Sequence, residues 1–142
     1  MDKVNFFRYN HLRVDLYTPE LARANPSYVF FFGDNTYRKG LGGQACIRME
    51  SNAIGIITKV APSDTPASYF YDEHEPLYKW LLEAEHGRIS RLLDSMPHVD
   101  TLVFPSAGLG TGLADMPRRS PKCYAALQDF LWQKFGIANV AK

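Results

Sequence analysis

An α/β fold with a mixed, mainly parallel sheet is what this sequence predicts, on three observations. Three runs of strand length, "SYVFFFG" (27–33), "NAIGIITKV" (52–60) and "DTLVFPS" (100–106), are too continuously apolar to alternate between core and water, so they suit strands covered on both faces. Helix-like segments separate them, and strands alternating with helices are the pattern of parallel pairing through crossovers. The first and third runs each end in a glycine-rich turn that leads into a helix start.

The elements follow in chain order. Residues 4–17 read as one or two short strands. In "TPELARA", Thr18 is a fitting N-cap and Pro19 a fitting first helical residue, since proline has no N–H to lose there. After the 27–33 strand, a helix from Gly42 or Gly43 to Glu50 would bury Ala45, Cys46 and Met49. The 52–60 strand gives way to "APSDTPASYFYDEHEP", whose prolines, serines and acids predict a loop. A helix over about 76–95 would present Leu77, Leu81, Ala84, Leu92 and Met96, with Gly87 as a possible break or kink. The last strand is followed by "SPKCYAALQDFLWQKFG": Ser120 caps, Pro121 opens and Gly136 closes a helix that would bury Ala125, Leu127, Phe130, Leu131 and Phe135. No repeat or low-complexity segment divides the 142 residues, so one domain over 1–142 is expected.

Composition excludes several classes. A formal net charge of +1 gives no basic field for nucleic acid, so direct nucleic-acid binding is not expected. The apolar runs are too short to span a bilayer, and the first residues lack a secretory leader, which together predict a cytoplasmic protein (that of the host, for a viral source). Cys46 and Cys123 stand apart and read as small buried residues rather than a disulfide. No CxxC or HExxH spacing is present, so no metal ligands and no cofactor are assigned.

The two turns carry the functional expectation. One runs from Gly33-Asp34-Asn35 to Gly43; the other, "PSAGLGTGLADMP" (105–117), holds Gly108, Gly110 and Gly112. The carboxyl ends of parallel strands share one rim, where ligands settle. Main-chain N–H groups without a neighbouring Cβ can approach a phosphate there. Either turn alone is as well explained by a tight connection that needs positive φ. Neither is a P-loop, because GxxxxGK[ST] does not occur, and no acid follows "GLGGQA" at the distance a dinucleotide fold requires.

In order and wording, "FFGDNTYRKGLGGQACI", "AIGIITKVAP" and "LVFPSAGLGTGLADMPRRSP" resemble the macrodomain signature over about residues 29–135. The spelling is most similar to a compact macro-like family of bacteria and phages that shares "FGDN…GGQA". The resemblance implies a three-layer α/β/α fold and a pocket for ADP-ribose or a related nucleotide derivative. It places Asn35 at the distal ribose and Gly33, Gly40, Gly42, Gly43, Gln44 and Ala45 along the first turn. Around the diphosphate it places Ser106, Ala107, Gly108, Leu109, Gly110, Thr111 and Gly112. Asp15, at a longer spacing than the pattern has, would match the aspartate that meets the adenine amine.

Two departures bear on chemistry. Asp34 puts a carboxylate where macrodomains often carry a neutral group, and Leu41 interrupts the glycines. Asp34 either grips ribose or acts as a base, or it simply shapes an Asx-type turn. Asp115 either steers an attacking water or shapes the turn before Pro117. Asp34, Asn35 and Asp115 are thus the candidate catalytic residues of an ADP-ribosyl hydrolase or of a phosphatase acting on an ADP-ribose derivative. Arg38, Lys39, Arg118 and Arg119 either neutralise phosphate or sit in solvated turns. His11, His74, His86 and His98 receive no catalytic role. The loop 69–78 either stacks on a base or packs at the sheet edge. The alternatives to an enzyme are a non-catalytic reader of a nucleotide signal and a protein-interaction domain with a vestigial pocket.

Overall fold

Strands form where the chain turns apolar, and they end where glycine or proline interrupts it. The computed structural model describes residues 6–141. Of the 4–17 stretch, residues 4 and 5 lie outside the described residues, Phe6–Arg8 makes one 3-10 turn, and Asn10–Val14 is strand β1. Helix α1 is Pro19–Ala24, and the Thr18 hydroxyl accepts from the Leu21 amide at 3.1 Å as an N-cap. Strand β2 is Tyr28–Asn35, β3 is Ala53–Lys59 and β4 is Thr101–Pro105. Helix α2 is Glu75–Asp94, α3 is the short Met116–Arg119, and α4 is Pro121–Phe135. Ser120 caps α4 through the Cys123 amide, and Gly136 closes it at φ +72°.

The α/β expectation holds, and the sheet is parallel throughout among the described residues, in the order β1-β4-β2-β3. Each sheet face has its own core. On one, Phe31, Ile54, Ile56, Leu102 and Phe104 meet α2 and α4 through Ile89, Leu93, Leu127, Leu131 and Phe135. On the other, Phe30, Phe32 and Val103 meet Tyr17 from the β1–α1 connection, Ala22 from α1, and Ala45 and Ile47 from the segment after β2. Alternate residues of β2 therefore feed opposite cores, which is why its sequence reads as unbroken phenylalanine.

Three expectations are corrected. The helix expected over 42–50 is a 3-10 helix, Gly43–Ile47, so its period differs; Ala45 is buried but Met49 is 79% exposed. In α2 the buried stripe is Tyr78, Leu82, Glu85, His86, Ile89 and Leu93. It lies one residue along from the expected one, leaving Leu77 and Ala84 exposed, and Gly87 does not interrupt the helix. In α4, Cys123 rather than Ala125 faces the core. Both cysteines are free thiols, Cys123 buried and Cys46 half-buried. The 61–76 stretch, expected as a loop, carries two single 3-10 turns, Pro66–Ser68 and Asp72–His74, and its last two residues already belong to α2. No described helix is long and apolar enough to cross a membrane.

Strand β3 lies at the sheet edge, and α2 supplies the hydrogen bonds a fifth strand would make. The Glu85 carboxylate accepts from the Ile57 amide at 3.1 Å, Tyr78 donates to the Ile57 carbonyl at 2.7 Å, and Arg88 donates to the Gly55 carbonyl. A covered edge cannot template pairing with another chain. Gly55 is needed here: a Cβ would stand 2.3 Å from Asp34 Oδ2 and 2.7 Å from Asp34 Cβ. Gly55→Ala should cost about 1–3 kcal/mol of unfolding free energy, the range for overpacking a filled site, read from urea denaturation. An unchanged midpoint and slope would show that Asp34 is not packed on Gly55.

Candidate functional site: a cleft between two glycine-rich turns

The cleft exists because the two central strands part. β2 and β4 pair only at Tyr28↔Thr101, Val29↔Leu102 and Phe30↔Val103. Beyond that, β2 follows β3 and β4 follows β1. The chain leaves β2 towards the α1 side of the sheet and leaves β4 towards α4 on the other side. Neighbouring parallel strands whose connections go to opposite faces open a crevice at their carboxyl ends.

Two side chains span that opening. The Tyr17 hydroxyl lies 2.7 Å from the Phe31 carbonyl and 3.2 Å from that of Val103. Burial pushes its pKa far up, so it remains a neutral donor. Further out, Gln44 Oε1 accepts from the Gly33 amide at 3.0 Å while its Nε2 donates to the Gly108 carbonyl at 3.0 Å. Gln44 thus ties the first turn to the second.

Above Gln44 lies a cleft of about 310 Å³, lined by Gly33, Gly42, Gly43, Gln44, Thr58, Gly110, Gly112, Leu113 and Ala114. That is at the small end of the range for small-molecule sites. A hollow of about 120 Å³ adjoins it and shares Gly33, Gly42, Thr58, Leu113 and Ala114, adding Asp34, Asn35, Lys39, Gly40, Ala45, Arg48, Lys59 and Pro62. The amides of Gly43, Gln44, Gly110, Thr111 and Gly112 find no acceptor among the described residues. Leu113, 69% exposed, reaches over the first turn: its Cδ1 is 3.5 Å from where a Cβ on Gly42 or Gly43 would stand.

The expected site residues divide. Gly33, Asp34, Asn35, Gly40, Gly42, Gly43, Gln44, Ala45, Gly110 and Gly112 line the cleft or its hollow. Ser106, Ala107, Gly108, Leu109, Thr111, Asp115 and Asp15 do not. Leu109 is core, and its backbone is gripped on both sides by Asn139, whose Oδ1 accepts from the Leu109 amide at 2.8 Å while Nδ2 donates to its carbonyl at 2.9 Å. The Gly108 amide is spent on the Pro105 carbonyl and the Thr111 hydroxyl on the Ala107 carbonyl. Asp15 lies exposed past β1. In the loop over 69–78, Tyr69 and Phe70 are buried.

The three catalytic candidates are held by their own surroundings. Asp34 is 4% exposed and pairs with Arg48 at 2.7 Å and Arg38 at 3.1 Å, while its Oδ1 also accepts from the Asn35 amide at 2.8 Å. Asn35 shapes its own turn: Oδ1 accepts from the Tyr37 amide and Nδ2 donates to the Lys39 carbonyl at 2.7 Å. Asp115, at φ +50°, pairs with Arg118 at 2.5 Å and Arg119 at 3.3 Å. Arg38 and Arg119, left open between phosphate and solvent in the sequence, are therefore ion-pair members; Arg119 also packs 3.7 Å over the Tyr69 ring.

Behind the hollow the ion pairs continue. Arg38, at φ +55°, reaches Glu85 at 2.5 Å, and Glu85 pairs with Arg88 at 2.9 Å. Burial alone would raise the pKa of Glu85, but its hydrogen bonds and charges from Arg88 and Arg38 outweigh that and hold it below the usual value. Burial disfavours charged Arg38 as well, yet Glu85 and Asp34 raise its pKa overall. Glu85, Arg48 and Lys59 carried no site expectation. A signal for Lys59 was present: a third parallel strand must end at the same rim as the other two. Among the described residues no group of three or more His, Cys, Asp or Glu could hold a metal ion.

Against known proteins, residues 12–130 match the model of a family of unknown function (DUF7831), a span holding β2, β3, β4 and both turns. No curated protein and no solved structure matches the chain.

Removing Glu85 tests the ion-pair chain. Glu85→Ala strands two guanidiniums that keep partial access to water, so the cost should be about 2–3 kcal/mol near pH 7. A carboxyl whose folded pKa is depressed stabilises fully above its unfolded pKa of about 4.3 and loses that contribution as pH falls through the folded value. The stability gap between wild type and Glu85→Ala, measured in urea, should therefore shrink on acidification below about pH 4.3. A gap that stays constant down to pH 2.5 would contradict the pairing.

Proposed function

We propose that this chain, which belongs to the DUF7831 family, binds ADP-ribose or a related nucleotide derivative in the cleft between its two glycine-rich turns. The observation that carries the reading is the set of acceptor-free amides, Gly43 and Gln44 on one side and Gly110 and Gly112 on the other, at a cleft lined by glycines of both turns. Amide donors fixed before a ligand arrives bind a diphosphate without paying to reorganise, and the low charge of such a site leaves room for a dianion. The macrodomain-like order of the three sequence blocks supplies the ligand class.

The same geometry favours a binding module over a hydrolase. A general base needs a free lone pair towards the attacking water. Asp34 uses both carboxylate oxygens on Arg48, Arg38 and the Asn35 amide, and both side-chain ends of Asn35 hold its own turn; Asp115 holds Arg118 and Arg119 through Oδ2 alone, but it lines neither the cleft nor its hollow. Gln44 is a brace across the crevice before it is anything to a sugar.

A thermal-shift titration tests the reading. Ligand at about 100 times Kd adds roughly 2.7 kcal/mol, which for a chain of this size raises Tm by about 5–10 °C. Gly112 is the residue to change: it lines the cleft, and a Cβ there meets nothing within 4 Å. Gly112→Phe should leave the unliganded Tm within about 2 °C and remove most of the ADP-ribose shift. The absence of any shift in wild type at millimolar ADP-ribose would refute the proposal. Turnover of ADP-ribosylated protein that is lost in Asp34→Asn or Asp115→Asn would restore the hydrolase reading.

A further inference from the structure

We propose that the outer edge of β1 docks a second copy of this chain, the two strands running antiparallel about a two-fold axis at Leu12. The β1–β4 ladder uses the main chain of Asn10, Leu12 and Val14. At its ends the Asn10 amide donates to the Asp100 carbonyl at 2.9 Å, and the Val14 carbonyl accepts from the Ser106 amide at 3.0 Å. His11 and Arg13, lying between, therefore aim their amides and carbonyls away from the sheet, where they meet no partner among the described residues. The β3 edge is treated differently, its outward groups being answered by Glu85, Tyr78 and Arg88. Nor is the β1 edge guarded: the strand holds no lysine, proline or bulge. Its one arginine, Arg13, turns back onto the carbonyls of Asn139, at 2.8 Å, and Ala138.

The strand's own sequence selects this occupant and this register. With the axis at Leu12, His11 of each copy lies opposite Arg13 of the other, and each such pair exchanges both of its main-chain hydrogen bonds. An axis one residue later would set Arg13 against Arg13, like charges directly opposed. One residue earlier, Arg13 would face Tyr9, which lies before the strand. In the favoured register Leu12, 42% exposed, meets Leu12 of the second copy in a close non-hydrogen-bonded pair, which takes both side chains out of water. Burial holds the His11 pKa below its usual value, so at pH 7 a neutral imidazole faces the arginine. A formal charge of +1 gives two copies little long-range repulsion. The sheet then runs on from β1 of one copy into β1 of the other, and the covered β3 edges at its two ends stop growth at a dimer. Because the paired strands run oppositely, the two clefts open at opposite ends of the dimer.

Sedimentation equilibrium of the full chain, without ligand, tests the interface. Wild type should pass from monomer to dimer with a Kd on the order of 10–100 µM, as suits a small interface, and form nothing larger. Leu12→Arg, which opposes two charges on the axis, should raise that Kd about tenfold or more while leaving the Tm of dilute protein within about 2 °C. The His11 and Arg13 amides should exchange hydrogen quickly in dilute protein and slowly in concentrated protein. Oxidation in a Cys46→Ser background reads the register. Leu12→Cys should give a disulfide-linked dimer, since a non-hydrogen-bonded pair holds its Cα atoms about 4.5 Å apart, within disulfide reach. Asn10→Cys, which lies opposite Val14, should not. A chain still monomeric at about ten times the upper Kd overturns the proposal. So does a dimer indifferent to Leu12→Arg, or one that cross-links through Asn10→Cys and not through Leu12→Cys. Slow exchange of the His11 and Arg13 amides in the monomer also overturns it, because the edge would then be held within one chain.

Discussion

Past Phe30 and Val103 the two central strands stop hydrogen-bonding to each other, and everything at the carboxyl rim is arranged around that parting. Backbone groups facing the gap still need partners, because a buried amide or carbonyl left alone costs on the order of 1–3 kcal/mol. Tyr17 meets the first carbonyls and Gln44 the next amide, so the gap is closed at its floor and open at its mouth. Gly33 permits this, since a Cβ there would press to 3.1 Å from the Thr58 hydroxyl. The glycines of the two turns then leave amides rather than side chains at the opening.

Charge plays a supporting part, beneath the cleft rather than in it. The series Arg48–Asp34–Arg38–Glu85–Arg88 ties the end of β2, the first turn and α2 together. It covers the outer edge of β3 and holds Arg38 in a left-handed backbone conformation that a side chain seldom adopts. Asp34 and Glu85 are both buried, and each is paired with two guanidiniums, so the first turn is tied at several points. Such a turn can present amides in one geometry, which suits recognition of one kind of anion. The second turn is fixed differently, by the Asn139 side chain pairing with the backbone of Leu109.

The layers were legible because each relevant signal is local. Continuous apolar runs marked the strands, Thr18, Ser120 and Gly136 marked helix ends, and alternation with helices implied that both glycine turns share a rim. Burial in α2 was not legible. Glu85 and His86 fill core positions, and a carboxylate in an apolar stripe is intelligible only once Arg38 and Arg88, from distant and near sequence, are seen around it. Met49 misled for a simpler reason: a 3-10 helix and an α-helix place the same residue on different faces. At the site, residue type identified the turns, but it could not tell a free carboxylate from one already held. Asp34 and Asp115 look available in the sequence and are engaged in space. Leu109 sits between two glycines of the second turn and is core.

Where a nucleotide contacts the backbone decides what the cleft is for. Amide chemical-shift mapping of the full chain with added ADP-ribose measures this directly. The expected result is a saturable set of shifts at Gly43, Gln44, Gly110, Thr111 and Gly112, with the helix faces of α2 and α4 unmoved. Shifts that fall elsewhere, or none at millimolar ligand, would contradict it.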